Sequence, residues 1–170
     1  MLSSFTQLTD SHGAPGTSNT AEAAIWAVDY ILHAASIGID RLYLSNGVGY
    51  RYNLLQPISG APNDGLNLTD RPHILPIYHA FLFVNEAIGL NGKGRRIAEI
   101  STTDTSLAVY GIWEGEDLKR LVFINSEVYL PDQGKRGVIR VKPFVDLSAQ
   151  EKGATLRRLY TPYTSAYSGL

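Results

Sequence analysis

The chain has 170 residues, 44% of them hydrophobic and 18% charged, with a formal net charge of -1. That balance describes a packed protein and excludes both a disordered chain and a nucleic-acid surface driven by excess positive charge. With no cysteine, a disulfide framework and a thiolate zinc site are also excluded.

The first residues, MLSSFTQLTDSHGAPG, lack the basic start and continuous apolar core of a secretory signal, so the sequence leaves the compartment unassigned. Asn19-Thr20-Ala21-Glu22 reads as a helix start, with Asn19 as N-cap and Glu22 completing a capping box. Ala24, Val28, Ile31 and Ala35, with Ile25 and Leu32 beside them, form a stripe at helical spacing, and Gly38 stands where a C-cap glycine belongs. The run Ile39 to Asn46 is short and apolar, which predicts a buried parallel strand. The proline- and glycine-rich stretch 57–76 reads as a loop. Asn67-Leu68-Thr69 within it fits the N-glycosylation acceptor pattern at Asn67.

Pro76 suits the first turn of a second helix whose face is Ile77, Ala80, Phe81, Val84, Ala87 and Ile88, ended by Gly89. No apolar run reaches the roughly 18 residues of a membrane span, so neither a membrane nor a nucleic acid is an expected partner. Helix, strand, loop and helix in this order have the rhythm of an α/β barrel or an open parallel sheet. After the linker at 90–96 the texture changes to short runs with alternating patterning: RIAEIST, SLAVYGIWEG, LKRLVFINSEVYL, GVIRVKPFVDL and ATLRRLY. Turn signals lie at Glu114 to Asp117 and Pro131 to Gly134, a spacing that predicts an antiparallel sandwich. Trp26 and Trp113 fall inside regular elements and read as core.

The carboxylates divide plainly. Glu22 serves the cap, Asp29 stands four residues before His33 as a helix-surface pair, and Glu114, Glu116 and Asp117 lie in a solvated turn. Glu86 and Glu99 have no partner by spacing. The histidines at 12, 33, 73 and 79 form no metal-ligand pattern, and no cofactor or metal is expected. One loop stands apart: Gly47 to Pro57, with Tyr50, Arg51, Tyr52 and Asn53. A tyrosine face packs on the C–H surface of a sugar while its hydroxyl bonds to ring oxygens, so this loop reads as a sugar-contacting rim. The competing reading has Tyr50 and Tyr52 packing one domain against the next.

The segment HGAPGTSNTAEAAIWAVDYILHAASIGIDRLYLSNGVGYRYNLLQP, then Arg71 to Tyr78, AVYGIWEGEDLKRLVFIN and ATLRRLYTPYTSAYSGL, together resemble a known family. They are similar to the C-terminal part of fungal β-glucuronidase-like proteins of glycoside hydrolase family 79, relatives of heparanase. The resemblance implies an α+β composite. Residues 1–92 would be the last strand–helix units of a (β/α)8 barrel, and 93–170 a β-sandwich without its last strand. It implies glucuronides as substrates, cleaved with retention by two carboxylates roughly 5 Å apart. It also implies that the loop around His12 and Gly13 helps hold the sugar's carboxylate.

The pair itself is missing. Counting back from that loop puts Phe5 near the nucleophile's position, no Glu precedes Glu22, and Asp10 falls too late. The other acid belongs to an earlier barrel strand. The chain is therefore expected to be a truncated, glucuronidase-like protein that is inactive alone, with an N-terminal barrel portion missing. Two alternatives stand beside it: a non-catalytic carbohydrate-binding or interaction module, and one half of a complemented glucuronidase.

Overall fold

A computed structural model of the protein describes residues 13–59, 71–89, 94–142 and 154–167. His12, Asn67, Phe5 and Asp10 lie outside the described residues. The first helix, α1, runs Ala21–Ser36, and α2 runs Ile77–Ile88. Both begin one residue later than their sequence signals predict, Thr20 and Pro76 being the N-caps, and Gly38 and Gly89 lie just past their ends. Neither is long and apolar enough to cross a membrane.

The start of α1 is built differently from the predicted capping box. Thr20 is the N-cap and makes no side-chain cap bond; the Asn19 Oδ1 instead accepts from the Gly16 N–H at 3.0 Å. The orphan amides of the first turn are satisfied from far along the chain. Ala21 N–H donates to the Ala166 carbonyl at 2.8 Å and Glu22 N–H to that of Thr164 at 2.9 Å. A helix needs partners for its first four N–H groups, and here a backbone strap supplies two of them. The strap is anchored in turn: Thr164 N–H and Oγ1 both donate to the Tyr129 carbonyl, at 2.9 and 3.0 Å. Tyr129 also stacks on Tyr163 at 5.6 Å.

Three strands form one antiparallel sheet in the order β3-β4-β5: β3 is Arg95–Glu99, β4 Leu107–Glu114 and β5 Asp117–Asn125. A separate two-residue pair joins β1, Leu55–Gln56, to β2, His73–Ile74. The predicted turn at Glu114 to Asp117 is a tight hairpin. Glu114 pairs Asp117, and Gly115 takes the positive φ (+60°) that a two-residue connection requires. A bulge at Ile112/Trp113 breaks the register of this hairpin.

Alternation decides the faces of β4. Tyr110 and Ile112 turn towards the helices with Val122 and Ile124 of β5, and they meet Ala24, Ala27, Val28 and Leu32 of α1 and Ile77, Ala80, Val84 and Ala87 of α2. The alanines on both helices let the backbones approach closely. Each fully buried aliphatic side chain in this cluster contributes about 2 kcal/mol by leaving water. Ile25, Ile31, Phe81 and Ile88 pack around it half-buried. The sequence stripe thus holds, rotated on α1 to bring Ala27 inward.

Several expectations are corrected. Residues 39–46 form no strand, and Tyr43 is 82% exposed: an apolar run becomes a strand only where a neighbour offers a hydrogen-bonding edge, and none lies beside it among the described residues. Stretches 137–142 and 154–160 also carry no strand pairing, with Val138 80% and Leu156 84% exposed. The described residues are therefore α+β, with one three-stranded sheet covered by helices on one face and one small strand pair. Trp113 lies on the opposite face from the core. Its ring rests against Gly111, where an added Cβ would sit 2.1 Å from it, and under the Arg96 guanidinium at 4.2 Å. Trp26 is half-buried and stacks on Tyr30 at 4.9 Å.

Candidate functional site

The tyrosine loop is knitted by two buried amides. Gly47 N–H donates to Asn53 Oδ1 at 2.8 Å while Asn53 Nδ2 donates back to the Gly47 carbonyl, and Asn53 is only 2% exposed. Gln56, fully buried, accepts from Gly49 N–H and donates to the Tyr50 carbonyl, each at 3.1 Å. Asn46 Oδ1 accepts from Leu54 N–H at 3.1 Å. Buried amides bonded at both ends fix a loop whose only ladder is the two-residue β1–β2 pair at its end. Asn53, expected on the sugar-contacting rim, is thus a brace inside the loop.

Four of the predicted site positions do meet. Tyr50 and Tyr52 stand 5.3 Å apart with their rings tilted at 47°. Arg51 Nη1 donates to the Gly13 carbonyl at 2.6 Å across 38 residues. Gly13 has φ +87°, and an added Cβ would lie 2.9 Å from the Tyr52 ring and 3.1 Å from Ser18. Only glycine lets the turn at 13–18 approach Tyr52 this closely. Gly47 does the same for Tyr50, whose ring lies 2.5 Å from the Cβ that Gly47 lacks. Gly13→Ala is expected to displace Tyr52 and break the Arg51 contact, read as a changed ring environment for Tyr52 in aromatic NMR spectra with the helical signal kept.

Among the described residues, several carboxylates are held by separate structural partners. Asp29 does not pair with His33: it is buried, and its Oδ1 accepts from the Tyr110 hydroxyl at 2.6 Å. His33 Nδ1 instead meets Glu99 Oε2 at 2.8 Å, giving both groups the partner that local spacing could not find. Glu86 pairs with Arg157 at 2.6 Å and Glu114 with Arg95 at 2.8 Å. Hydrogen bonds from Ser106 hold the Asp104 carboxyl below the usual range, and Lys119 does so for Asp117. His73 Nδ1 contacts the Arg71 carbonyl at 3.0 Å, and His79 packs edge-on to Tyr78 at 6.0 Å. Among the described residues no group of three or more His, Asp or Glu side chains is placed to hold a metal ion. What the loop offers chemically is recognition: two aromatic faces, a guanidinium and a rigid backbone turn.

No protein-family model matches the chain, and no solved structure matches it. A beta-glucuronidase of Neurospora crassa is 32% identical over 136 residues, covering 77% of this chain and 24% of that protein. A beta-glucuronidase of Aspergillus niger is 33% identical over 113 residues, covering 66% of this chain and 19% of that protein. The chain thus spans about a quarter or less of the length of these curated relatives.

Proposed function

We propose that this chain, a relative of fungal beta-glucuronidases over part of their length, carries a glucuronide-contacting rim of a glycoside hydrolase and does not cleave glycosidic bonds alone. The observation that carries this is the pair Tyr50 and Tyr52, held beside Arg51 and the Gly13 turn by a buried amide framework. In this reading residues 1–92 derive from the last strand–helix units of a (β/α)8 barrel and 93–170 from a β-sandwich of the family 79 type. Retaining hydrolysis needs a protonated acid and a carboxylate nucleophile facing one sugar. The described acids are bonded to tyrosine, arginine, histidine, serine or lysine partners, or stand singly, and in this reading the count back from the Gly13 loop puts Phe5 near the nucleophile's position.

The purified chain, offered a chromogenic glucuronide, is expected to show no turnover. Glucuronate added to labelled protein is expected to shift the Tyr50–Tyr52 resonances saturably, and Tyr50→Ala to weaken that binding about tenfold, the size of one lost aromatic packing contact. Turnover by the chain alone, or shifts unaffected by Tyr50→Ala, contradicts the proposal. A binding module is the second reading, favoured by a core in which Leu32, Leu75 and Ile112 are sealed from solvent by this chain itself. One cooperative urea transition in the isolated chain would support the module over a half that needs a complementing partner.

A further inference from the structure

A cavity of about 150 Å³ lies beside the first two turns of α1, lined by Glu22, Ala23, Trp26 and Asp29 of the helix and by Val128 and Thr164 opposite. Its wall is mostly apolar, and most of its polar side chains are already bonded within the protein. Asp29 accepts from Tyr110, Thr164 Oγ1 donates to the Tyr129 carbonyl, and Ser126 Oγ, also on the wall, donates to the Ser106 carbonyl at 3.0 Å. A water needs two to four polar partners to stay in such a space, whereas an apolar cavity of about this volume admits a benzene-sized molecule. Two groups on the wall differ. The buried Trp26 Nε1 has no hydrogen-bond partner among the described residues. Glu22 is half-buried, and its carboxylate has no hydrogen-bond or ion-pair partner among the described residues either.

We propose that this cavity binds a small aromatic amine, with the ring packed on Trp26 between Ala23 and Val128 and the ammonium group paired with the Glu22 carboxylate at the mouth. The ring volume sets the first half of that ligand and the unpaired anion sets the second. A neutral aromatic would leave the carboxylate as it is, and an aromatic acid would place like charges together. None of Gly13, Tyr50, Arg51 and Tyr52 lines this cavity, and the proposal does not depend on glucuronide binding.

The test titrates benzylammonium, benzyl alcohol and benzoate into the full chain carrying Trp113→Phe, so that fluorescence reports Trp26 alone. Benzylammonium is expected to saturate with an affinity about fivefold to tenfold above benzyl alcohol, as a partly exposed ion pair provides, and benzoate to bind more weakly than either. Glu22→Gln should bring the amine and the alcohol within about twofold, and raised salt should shrink the wild-type preference in the same direction. Equal affinity for amine and alcohol, a preference untouched by Glu22→Gln and by salt, or no saturation by about 10 mM of any probe would each overturn the proposal. Because salt needs no substitution, the test stands even if Glu22→Gln perturbs the start of the helix.

Discussion

Tyr110→Phe will destabilise the fold by about 2–3 kcal/mol, although it removes a single oxygen. Tyr110 is 1% exposed, and its hydroxyl is the donor to Asp29 Oδ1 at 2.6 Å. Without it a buried carboxyl on the inner side of α1 loses its donor, and the desolvation already suffered by that group goes uncompensated. A double-mutant cycle with Asp29→Ala gives the check. The two changes together should cost clearly less than their sum, because removing both polar groups leaves neither orphaned. Additive losses in urea unfolding would mean that the pair is not coupled.

The same pair predicts an alkaline dependence. Burial, then the hydrogen bond to the Asp29 carboxylate, pushes the Tyr110 phenol well above the ordinary tyrosine value. The folded chain therefore holds this proton more tightly than the unfolded chain. Its contribution is complete below the unfolded value near pH 10, and falls away as pH rises beyond it because the unfolded state deprotonates first. Tyr110→Phe should lack this part of the alkaline loss.

Leu32→Ala is expected to cost about 3 kcal/mol or more, the largest effect of any single aliphatic truncation in this core. Leu32 is fully buried where α1 faces both α2 and the sheet, and its neighbours Ala24, Ala27 and Ala80 are too short to refill the space. Leu82→Ala on the outer side of α2, where Leu82 is half-exposed, should change stability by no more than about 0.5 kcal/mol. Urea midpoints separate the two; a shift for Leu32→Ala without a change in slope identifies loss of native packing.

The sequence made the helices legible because their signals are local: Ala24, Val28 and Leu32 repeat at helical spacing, and Gly38 and Gly89 follow at the right places. The β4–β5 hairpin was equally plain from Gly115 and the alternation around Tyr110. What failed required knowledge of distant partners. The run at 39–46 has strand composition, but composition does not supply an edge to pair with. Asp29 and His33 stand at the right spacing to meet each other, yet each bonds to a residue 66 or more positions away. The tyrosine loop stands out in the sequence by its composition, whereas its contact with Gly13 across 38 residues could not be read there. Asn53 was misjudged, because an asparagine that braces a loop and one that touches a sugar look alike in one dimension.

The strap at 164–166 imposes an order on biosynthesis. Two amides at the start of α1 wait for the carbonyls of Thr164 and Ala166, which are synthesised long after them. Until then the first turn of that helix has only water to bond. Between those two events the nascent chain carries α1 unfinished, a stage at which chaperone binding and proteolysis compete with closure.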